Sequence, residues 1–456
     1  MPGLFDTLGV TSQALFTQQR GTQVTSNNIA NVSTPGYRRQ ELILAENNSP
    51  NVGVHVVDVR RSIDHYLGRR ILLENAKTSY AQTKADTLEH LENTVATLGD
   101  NSLQSSLNAF FSSWRELTAR PQDTALRTTV LSKSQALADR IHVAADDLTV
   151  LQNNLDSEVS AQVDEVNTLL DEVAGLNTQI LQIETETNQE ASALHDKRDL
   201  ALEKLSELIG ATSFDPGDGS RTVLIGEGLT VVQAGHVQRI ATSPDPTTGL
   251  NQITFDGKTI NYRLHNGKIG ALLELRDQEI TTRMGTLDNF AFDLQTAVNG
   301  VHRVHFDLAG VTGRDFFAPI GAVSGAATSL TLDAGVKNNP NAIATAQLLA
   351  TVPGDNRGAE AMVQLENQLV AGGGQQTLSQ VLSGLVSGVG ESRRQSLANV
   401  DFQEERLGAL EALREGQSGV SLEEQMLQLS RYQRAFQAAS RIVTTVDEML
   451  EDLIRM

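Results

Sequence analysis

Apolar side chains recur at alternating intervals of four and three residues along the C-terminal segment, residues 421–456. Two such rows run side by side, and this is the spacing of a helix that packs lengthwise against another helix. The interface candidates of the first row are Leu422, Met426, Leu429, Phe436, Val443 and Leu450. Those of the second row are Tyr432, Ile442, Val446, Met449 and Leu453. A single helix cannot bury these rows, so the pattern predicts a partner.

The same spacing occurs near the N-terminus, where Leu4, Leu8, Leu15 and Ile29 alternate with threonine and glutamine. We expect so polar a seam to become ordered only when another surface covers it. Core helices of a closed bundle would give the same periodicity. The position of both segments at the chain ends, beyond Pro and Gly breaks, favours helices that are completed by assembly.

A turn ends the first predicted helix, residues 4–30, at Ser33-Thr34-Pro35-Gly36-Tyr37. Pro35 cannot continue a helix, and Gly36 can supply the positive φ that follows it. Asn31 begins a glycosylation sequon, but at a helix-ending turn we expect its side chain to form local hydrogen bonds. Residues 38–59 are predicted to be extended and irregular.

Long helices follow, beginning near Asp64. Over residues 130–180 the heptad spacing passes through a stutter at Leu151, Leu155 and Val159, which unwinds a supercoil without ending the helix. Some 60 helical residues span about 90 Å, which predicts an elongated molecule. Another helix is predicted over residues 194–209.

The pattern changes at Thr212, after which short strands and turns are predicted, including a hairpin that reverses at Asp256-Gly257. Helix periodicity returns over residues 271–305 and again after Gly358, and residues 329–332 are the best strand candidate between them. A break at 416–419 precedes a predicted capping box in which Ser421 caps the last helix and Glu424 reaches back.

The predicted fold is mainly α with a β insertion: an elongated multi-domain rod with a long helical bundle and a small β-rich outer domain. The N- and C-terminal helices are predicted to pair as a coiled-coil-like terminal module. The predicted divisions are the N-terminal helix and turn (1–45), the helical rod domain (46–210, 271–305 and 351–415), the β-rich domain (211–270, with 306–350 as an optional part) and the C-terminal helix (416–456).

Composition narrows the function. The chain has 456 residues and a net charge of -20, which argues against nucleic acid or an anionic membrane surface as partner. It contains no cysteine, which excludes disulfides, thiolate zinc sites and cysteine nucleophiles. Residues 1–10 lack the pattern of a cleavable signal peptide, and no stretch has the roughly 20 apolar residues of a membrane span.

Motifs for catalysis or cofactor binding are few. His302, His305 and Asp307 lie close enough in sequence to be considered as metal ligands. A helix face that enters a loop is the favoured interpretation, because no further ligand cluster supports the metal. The sequence carries no nucleotide-binding loop and no hydrolase elbow, so we predict no cofactor and no enzymatic activity.

Residues 28–37, Asn-Ile-Ala-Asn-Val-Ser-Thr-Pro-Gly-Tyr, resemble the N-terminal signature of bacterial flagellar axial proteins. The C-terminal stretch 418–450, with Arg-Tyr-Gln-Arg-Ala-Phe at 431–436, is similar to the FlgK family, hook-associated protein 1 of the hook–filament junction. Internal segments that carry the same resemblance are residues 108–121, 196–200, 298–302, 313–317 and 354–357.

The resemblance implies a structural adaptor that joins hook to filament, with the hook protein and a second junction protein as neighbours. It implies secretion through the flagellar type III export channel without a cleaved signal, and a cytoplasmic export chaperone bound to the C-terminal helix. Terminal helices would fold as they pack against neighbouring copies of the chain. A rod or hook subunit and a flagellar subunit with an enzymatic insert at 212–267 are the alternatives.

Overall fold

The computed structural model describes residues 3–46, 54–95 and 102–455, and long helices dominate it. The α-helices are α1 (Leu4–Ala30), α2 (His65–Val95), α3 (Leu103–Ala119), α4 (Thr124–Thr187), α5 (Ser192–Ile209), α6 (Gly267–Glu274), α7 (Ile280–Arg303), α8 (Ala326–Ser329), α9 (Ala334–Lys337), α10 (Arg357–Gln364), α11 (Leu378–Ser418) and α12 (Leu422–Arg455). A π-helical turn, Leu275–Glu279, joins α6 to α7. The mainly α fold is therefore confirmed.

The strands form antiparallel sheets, and those after the first two lie between α5 and α6 as the predicted β insertion. Strands β1 (Gln40–Glu46) and β2 (Val54–Arg61) form a hairpin. The insertion contains β3 (Thr212–Phe214), β4 (Thr222–Ile225), β5 (Leu229–Gln233), β6 (His236–Val237), β7 (Ala241–Pro244), β8 (Asn251–Phe255) and β9 (Lys258–Thr259). One sheet has the order β3-β4-β5-β6 and the next β7-β8-β9.

Contacts divide the chain into two compact units. The first unit comprises Met1–Tyr80, Ala161–Gly270 and Asp401–Met456, and the second comprises Ala81–Ser160 and Ala271–Val400. The finer division into rod and outer domains stays a prediction.

Two asparagines of α4 hold the β insertion in the first unit. Asn167 donates to the carbonyl of Ile240 (2.8 Å) and accepts from its N–H (3.1 Å). Asn177, which is 1% exposed, donates to the carbonyls of Arg221 (2.9 Å) and Ala234 (2.8 Å) and accepts from the Arg221 N–H (2.9 Å). Each amide thus satisfies backbone groups that the short strands leave unpaired.

An aromatic cluster forms the core of the second unit. Phe110 and Trp114 of α3 lie edge-to-face or tilted against Phe316, with ring centroids 6.4 and 5.5 Å away. Asn299 fixes the loop that carries this phenylalanine: its Oδ1 accepts from the N–H groups of Phe316 and Phe317, each at 2.9 Å. Two segments of the family resemblance, 108–121 and 313–317, therefore meet in this core.

Several boundaries differ from the sequence prediction. The predicted strand 329–332 is wrong, because Ser329 ends α8 and Leu332 forms only an isolated bridge to Phe317. Residues 306–350 hold isolated bridges and short helical turns. In the segment 38–59, which was predicted to be irregular, residues 40–46 and 54–59 belong to a hairpin, and residues 47–53 lie outside the described residues. Helix α11 also continues through the predicted break at Gly416.

Two details of the sequence prediction concern single side chains. Asp256 and Gly257 both have positive φ (50° and 70°), which confirms the predicted hairpin reversal between β8 and β9. Ser421 caps α12 by accepting from the Glu424 N–H at 3.4 Å. The Glu424 carboxylate contacts Arg39 and not the N–H of Ser421. The predicted second bond of the capping box, from Glu424 back to Ser421, is therefore wrong.

His302 lies fully buried in the second unit with both ring nitrogens in use. Its Nδ1 donates to the Arg314 carbonyl (2.8 Å), and its Nε2 accepts from the Ala344 N–H (3.0 Å). The neutral ring satisfies both bonds, whereas a second proton on Nε2 would face another donor. Burial lowers the pKa of His302, and this outweighs the Arg314 carbonyl and the carboxylates of Asp307 and Asp315, which raise it.

The neighbouring candidates for metal ligation are also used by the backbone. His305 Nδ1 bonds to the carbonyl of Val301 at 2.7 Å, and the Asp307 carboxylate accepts from the N–H groups of Ala309 (2.9 Å) and Val311 (2.8 Å). Within the described ranges, no group of three or more His, Cys, Asp or Glu side chains is arranged to hold a metal ion. These three residues shape the loop after α7.

We predict that acid destabilises the second unit through His302. The unfolded chain takes up a proton near pH 6.5 and the folded ring resists it, so the unfolded state binds more protons below that pH. The free energy of unfolding should therefore fall as the pH drops below about 6.5, by at most about 1.4 kcal/mol per pH unit. Fluorescence of Trp114, the single tryptophan and fully buried in this unit, reports its urea unfolding.

His302→Gln should reduce this slope between pH 7 and pH 5. His90→Gln, which changes an exposed histidine in the same unit, should keep it. An equal pH dependence of the free energy of unfolding in both variants would contradict the role of His302.

Candidate assembly interface

Helices α1 and α12 pack lengthwise in the first unit, and hairpin β1–β2 lies beside α1. We call these three elements the terminal module (residues 4–46, 54–61 and 422–455). The face that α1 buries is small and polar: Thr11, Thr17, Gly21, Val24, Thr25 and Asn28. On α12 the buried positions are Gln425, Ala439 and Val446. The predicted pairing of the terminal helices is present, through a seam with few large apolar side chains.

Two buried threonines of α1 bond to their own helix. Thr11 donates to the Thr7 carbonyl (2.7 Å). Thr17 donates to the Gln13 carbonyl (2.9 Å) and also lies 3.3 Å from the Val54 carbonyl of β2, so it contacts the hairpin. Both hydroxyls are satisfied four residues back, which leaves the γ-methyl groups to pack.

Gly21 lets the two helices approach closely. A Cβ at this position would lie 2.6 Å from Cε1 of Tyr432, closer than nonbonded carbon atoms come. The Tyr432 ring thus lies directly on the α1 backbone. Burial in this contact raises the pKa of Tyr432.

Asn28 connects all parts of the module. It is 1% exposed, and its Nδ2 donates to the carbonyl of Gln40 in β1 (2.9 Å) and to Oε1 of Gln425 in α12 (3.0 Å). Its Oδ1 accepts from the Tyr37 hydroxyl (2.7 Å) and the Gln40 N–H (2.9 Å). All four hydrogen-bonding positions of the amide are filled, so one side chain fixes the turn, the hairpin and the C-terminal helix.

The predicted signature turn has the expected local geometry. Asn31 donates to the Asn27 carbonyl (3.0 Å) and accepts from the Thr34 hydroxyl (3.2 Å). Gly36 has φ 78°, and Pro35 is exposed. Burial, with the nearby charge of Asp196, raises the pKa of Tyr37 to about 12, so its hydroxyl stays protonated and can donate to Asn28.

The candidate interface residues divide by exposure. Half-buried side chains, which contribute to packing within the module, are Leu4, Leu8, Leu15, Ile29, Leu429, Tyr432, Val443 and Leu450, and Val446 is buried. Exposed side chains are Leu422, Met426, Phe436, Ile442 and Met449. The side chain of Leu453 lies outside the described residues. The buried and half-buried side chains pack within the module. The exposed ones leave apolar surface on α12.

Sequence reasoning missed several residues of this region. Asn28 and Gln425 interrupt the apolar rows, so periodicity gave them no weight. Phe5 and Phe16 are 76% and 66% exposed on α1, off the predicted row. An asparagine and a glutamine at helix positions that the spacing places inside a seam were the available signal, because such groups must be hydrogen-bonded when buried.

None of the helices in the part of the chain that the structure describes is both long and apolar enough to cross a membrane.

Three family models match different parts of the chain. The flagellar hook-associated protein FlgK helical domain matches residues 88–317. The flagella basal body rod protein model matches residues 8–38, and the flagellar basal body rod FlgEFG protein C-terminal model matches residues 415–456. The last two cover most of α1 and all of α12, the helices of the terminal module.

Curated relatives share one name. Flagellar hook-associated protein 1 of Bacillus subtilis is 28% identical, over 100% of this chain and 98% of that protein. The Escherichia coli protein of this name is 26% identical, over 66% of this chain and 57% of its own length. A solved structure titled as the flagellar hook junction protein FlgK from Burkholderia pseudomallei aligns with TM-score 0.65 and 16% identity, covering 76% of this chain and 99% of that one. The fold is therefore shared.

We predict opposite effects for one substitution at two glycines of α1. Gly21→Ala inserts a methyl group against the Tyr432 ring and should destabilise the terminal module by about 1–3 kcal/mol. At Gly9 no atom lies within 4 Å of the added Cβ, so Gly9→Ala should stabilise α1 by about 0.5–1 kcal/mol. Amide hydrogen exchange across α1 and α12 measures both changes. Equal stabilisation by the two variants would show that the helices are further apart.

We predict that Asn28→Ala loosens three elements together. The Tyr37 hydroxyl, Gln40 and Gln425 would each lose a buried partner, at a cost of about 2–4 kcal/mol in total. Exchange should rise in α1, in the hairpin and in the first turns of α12. Asn27→Ala, which removes an exposed amide one residue earlier, should leave all three protected. Faster exchange confined to α1 would contradict the role of Asn28 as the connection.

Proposed function

The chain belongs to the FlgK family of flagellar hook-associated proteins and is a structural adaptor of the flagellar axis, and we propose that it joins the hook to the filament. The proposed mechanism is assembly through the terminal module. Each copy contributes an apolar surface of α12 that neighbouring subunits cover.

The exposed apolar side chains of α12 are the observation that carries this proposal. Met426 is 56% exposed, Phe436 40%, Ile442 47% and Met449 54%, while Val446, one helical turn from both Ile442 and Met449, is 5% exposed. Large apolar side chains that stay exposed along the length of a helix are typical of a protein interface. The packing of α12 on α1 leaves these side chains accessible to a second surface.

Neighbours in the axis are the proposed partners: the hook protein on one side and a second junction protein on the other. The names of the relatives, hook-associated protein 1 and hook junction protein, support this placement. A rod or hook subunit is less well supported, because the rod-protein models match only the two ends and the FlgK helical domain occupies the middle.

Export precedes assembly in this proposal. The chain would pass through the flagellar type III channel unfolded and without a cleaved signal, and no disulfide would have to form, since the chain has no cysteine. A cytoplasmic chaperone would cover the apolar row of α12 before export, as an amphipathic helix laid in a groove. The mature protein would then act outside the cell.

No enzymatic activity is proposed. The relatives are structural flagellar proteins. The amides of Asn167 and Asn177 of α4 bond to backbone groups of the β insertion and hold its strands in place.

The test replaces single exposed apolar residues of α12 by aspartate. Phe436→Asp or Ile442→Asp should abolish filament growth in cells that carry only the variant. A carboxylate buried without a partner costs at least about 3 kcal/mol, which weakens an association more than 100-fold. The purified monomers should melt within about 1 °C of the parent protein, because both positions are exposed.

Two control variants on the same helix separate assembly from folding. Gln437→Asp changes an exposed polar neighbour and should leave filaments normal. Val446→Asp changes a buried position and should lower the melting temperature. Normal filaments on Phe436→Asp cells would refute the proposal, as would a loss of monomer stability equal to that of Val446→Asp.

A further inference from the structure

The terminal module joins the remainder of the first unit through only two single-chain connections within the described residues. Residues 62–64 lead from β2 to α2, and residues 419–421 lead from α11 to α12. Two short connections without regular structure do not by themselves fix the orientation of the terminal module. The contacts of the side chains beside them therefore determine this orientation.

Arg61, the last residue of β2, lies next to the first connection and has a side chain that is 3% exposed. Its Nε donates to Glu190 (2.9 Å), and its Nη1 donates to Asp196 (2.9 Å) and Asp199 (2.8 Å). Burial disfavours the charge of Arg61, but the three carboxylates outweigh it and raise the pKa of the guanidinium. We call Asp196 and Asp199, which are three residues apart on α5, together with Glu190 the Arg61 socket.

The signature turn and the residue after it also contact the Arg61 socket, through Asp196. The Arg38 N–H donates to Asp196 (3.4 Å), and the backbone of Gly36 lies against that same residue. The Arg38 guanidinium contacts Glu203 of α5 (3.4 Å), which also binds Arg414 of α11 (2.7 Å). The α5 helix therefore contacts the module at more than one point.

A basic residue of the same segment faces the opposite way. Arg198 is 1% exposed and donates to Asn177 of α4 (2.9 Å) and to the Gly219 carbonyl of the β insertion (2.9 Å). Residues 196–200 thus hold the terminal module with their aspartates and the β insertion with their arginine. This segment carries part of the family resemblance, and assembly through α12 does not explain it.

We propose that Arg61 is a positioning residue and that its socket holds the terminal module in one direction relative to α5. This rests on the proposed function, because the copies can form a regular assembly through α12 only if the terminal module has the same orientation in every copy. Loss of Arg61 would remove three ion pairs beside the first connection and leave the folded module held to α5 by the longer contacts of Arg38. Lysine cannot replace it, since an ammonium group does not reach three carboxylates in the planar geometry of a guanidinium.

Spin-label distances test the direction without any need for assembly. The chain has no cysteine, so labels attach only at Ser26→Cys on α1 and Lys197→Cys on α5, both exposed positions. Double electron–electron resonance should give one narrow distance distribution in the otherwise unchanged chain. Arg61→Gln and Arg61→Lys should broaden it, while Arg60→Gln, which removes an exposed arginine next in sequence, should not.

Amide exchange on the same variants shows whether the module itself is intact. Protection of α1 and α12 should be unchanged in Arg61→Lys. A narrow distribution in both Arg61 variants would overturn the proposal. Loss of protection across α1 and α12 in Arg61→Lys would also overturn it, because Arg61 would then be part of the module's own stability.

Filament growth supplies the test in cells. Arg61→Gln and Arg61→Lys should each abolish filaments, whereas Arg60→Gln should leave them normal. Normal filaments on Arg61→Gln cells would show that Arg61 does not set the direction that assembly needs. If Phe436→Asp cells grow normal filaments, the junction role fails, and the distance measurement still decides the role of Arg61.

Discussion

The close approach of α1 and α12 is the constraint that organises the first unit. Gly21 under the Tyr432 ring brings the two backbones near enough for Asn28 to reach Gln425 across the seam. A larger residue at Gly21 would separate the helices, and the amide of Asn28 would lose its partner on α12. Because Asn28 also binds the turn and the hairpin, a single steric condition in α1 fixes elements that are far apart in sequence.

Much of this architecture could be predicted from local patterns. The bounds of α1, the long helix α4 that continues through its stutter, and the hairpin reversal at Asp256-Gly257 all follow from periodicity or from the φ preference of turn residues. Such signals involve neighbouring residues, so one sequence contains them completely. The strand predicted at 329–332 was wrong because alternation of polar and apolar residues says nothing about whether a pairing strand lies alongside.

The connections between elements could not be predicted, because their partners are distant in sequence. Asn28 and Gln425 are 397 residues apart, and Arg61 and Asp199 are 138 apart. Nothing local distinguishes these side chains from solvated polar residues on a helix or strand. The buried arginines Arg61 and Arg198 also act in the N-terminal half of α5, where each binds groups that a hydrophobic pattern cannot identify. The site is therefore predictable as a pair of helices, but its connections are visible only in three dimensions.

The division of the apolar side chains of α12 into buried and exposed ones changes the physical interpretation of its apolar rows. The sequence suggests that neighbouring subunits cover all the apolar positions of α12, and that the N-terminal seam is too polar to become ordered alone. In the structure, the Thr11 hydroxyl of that seam bonds to its own helix, and α12 of the same chain packs along α1. Folding of the module therefore uses Ala439 and Val446, whereas Phe436 and Ile442 remain for another surface. Because the two contacts use different side chains of one helix, a neighbour can bind without displacing α1, and the free energy of association need not offset unfolding of the module.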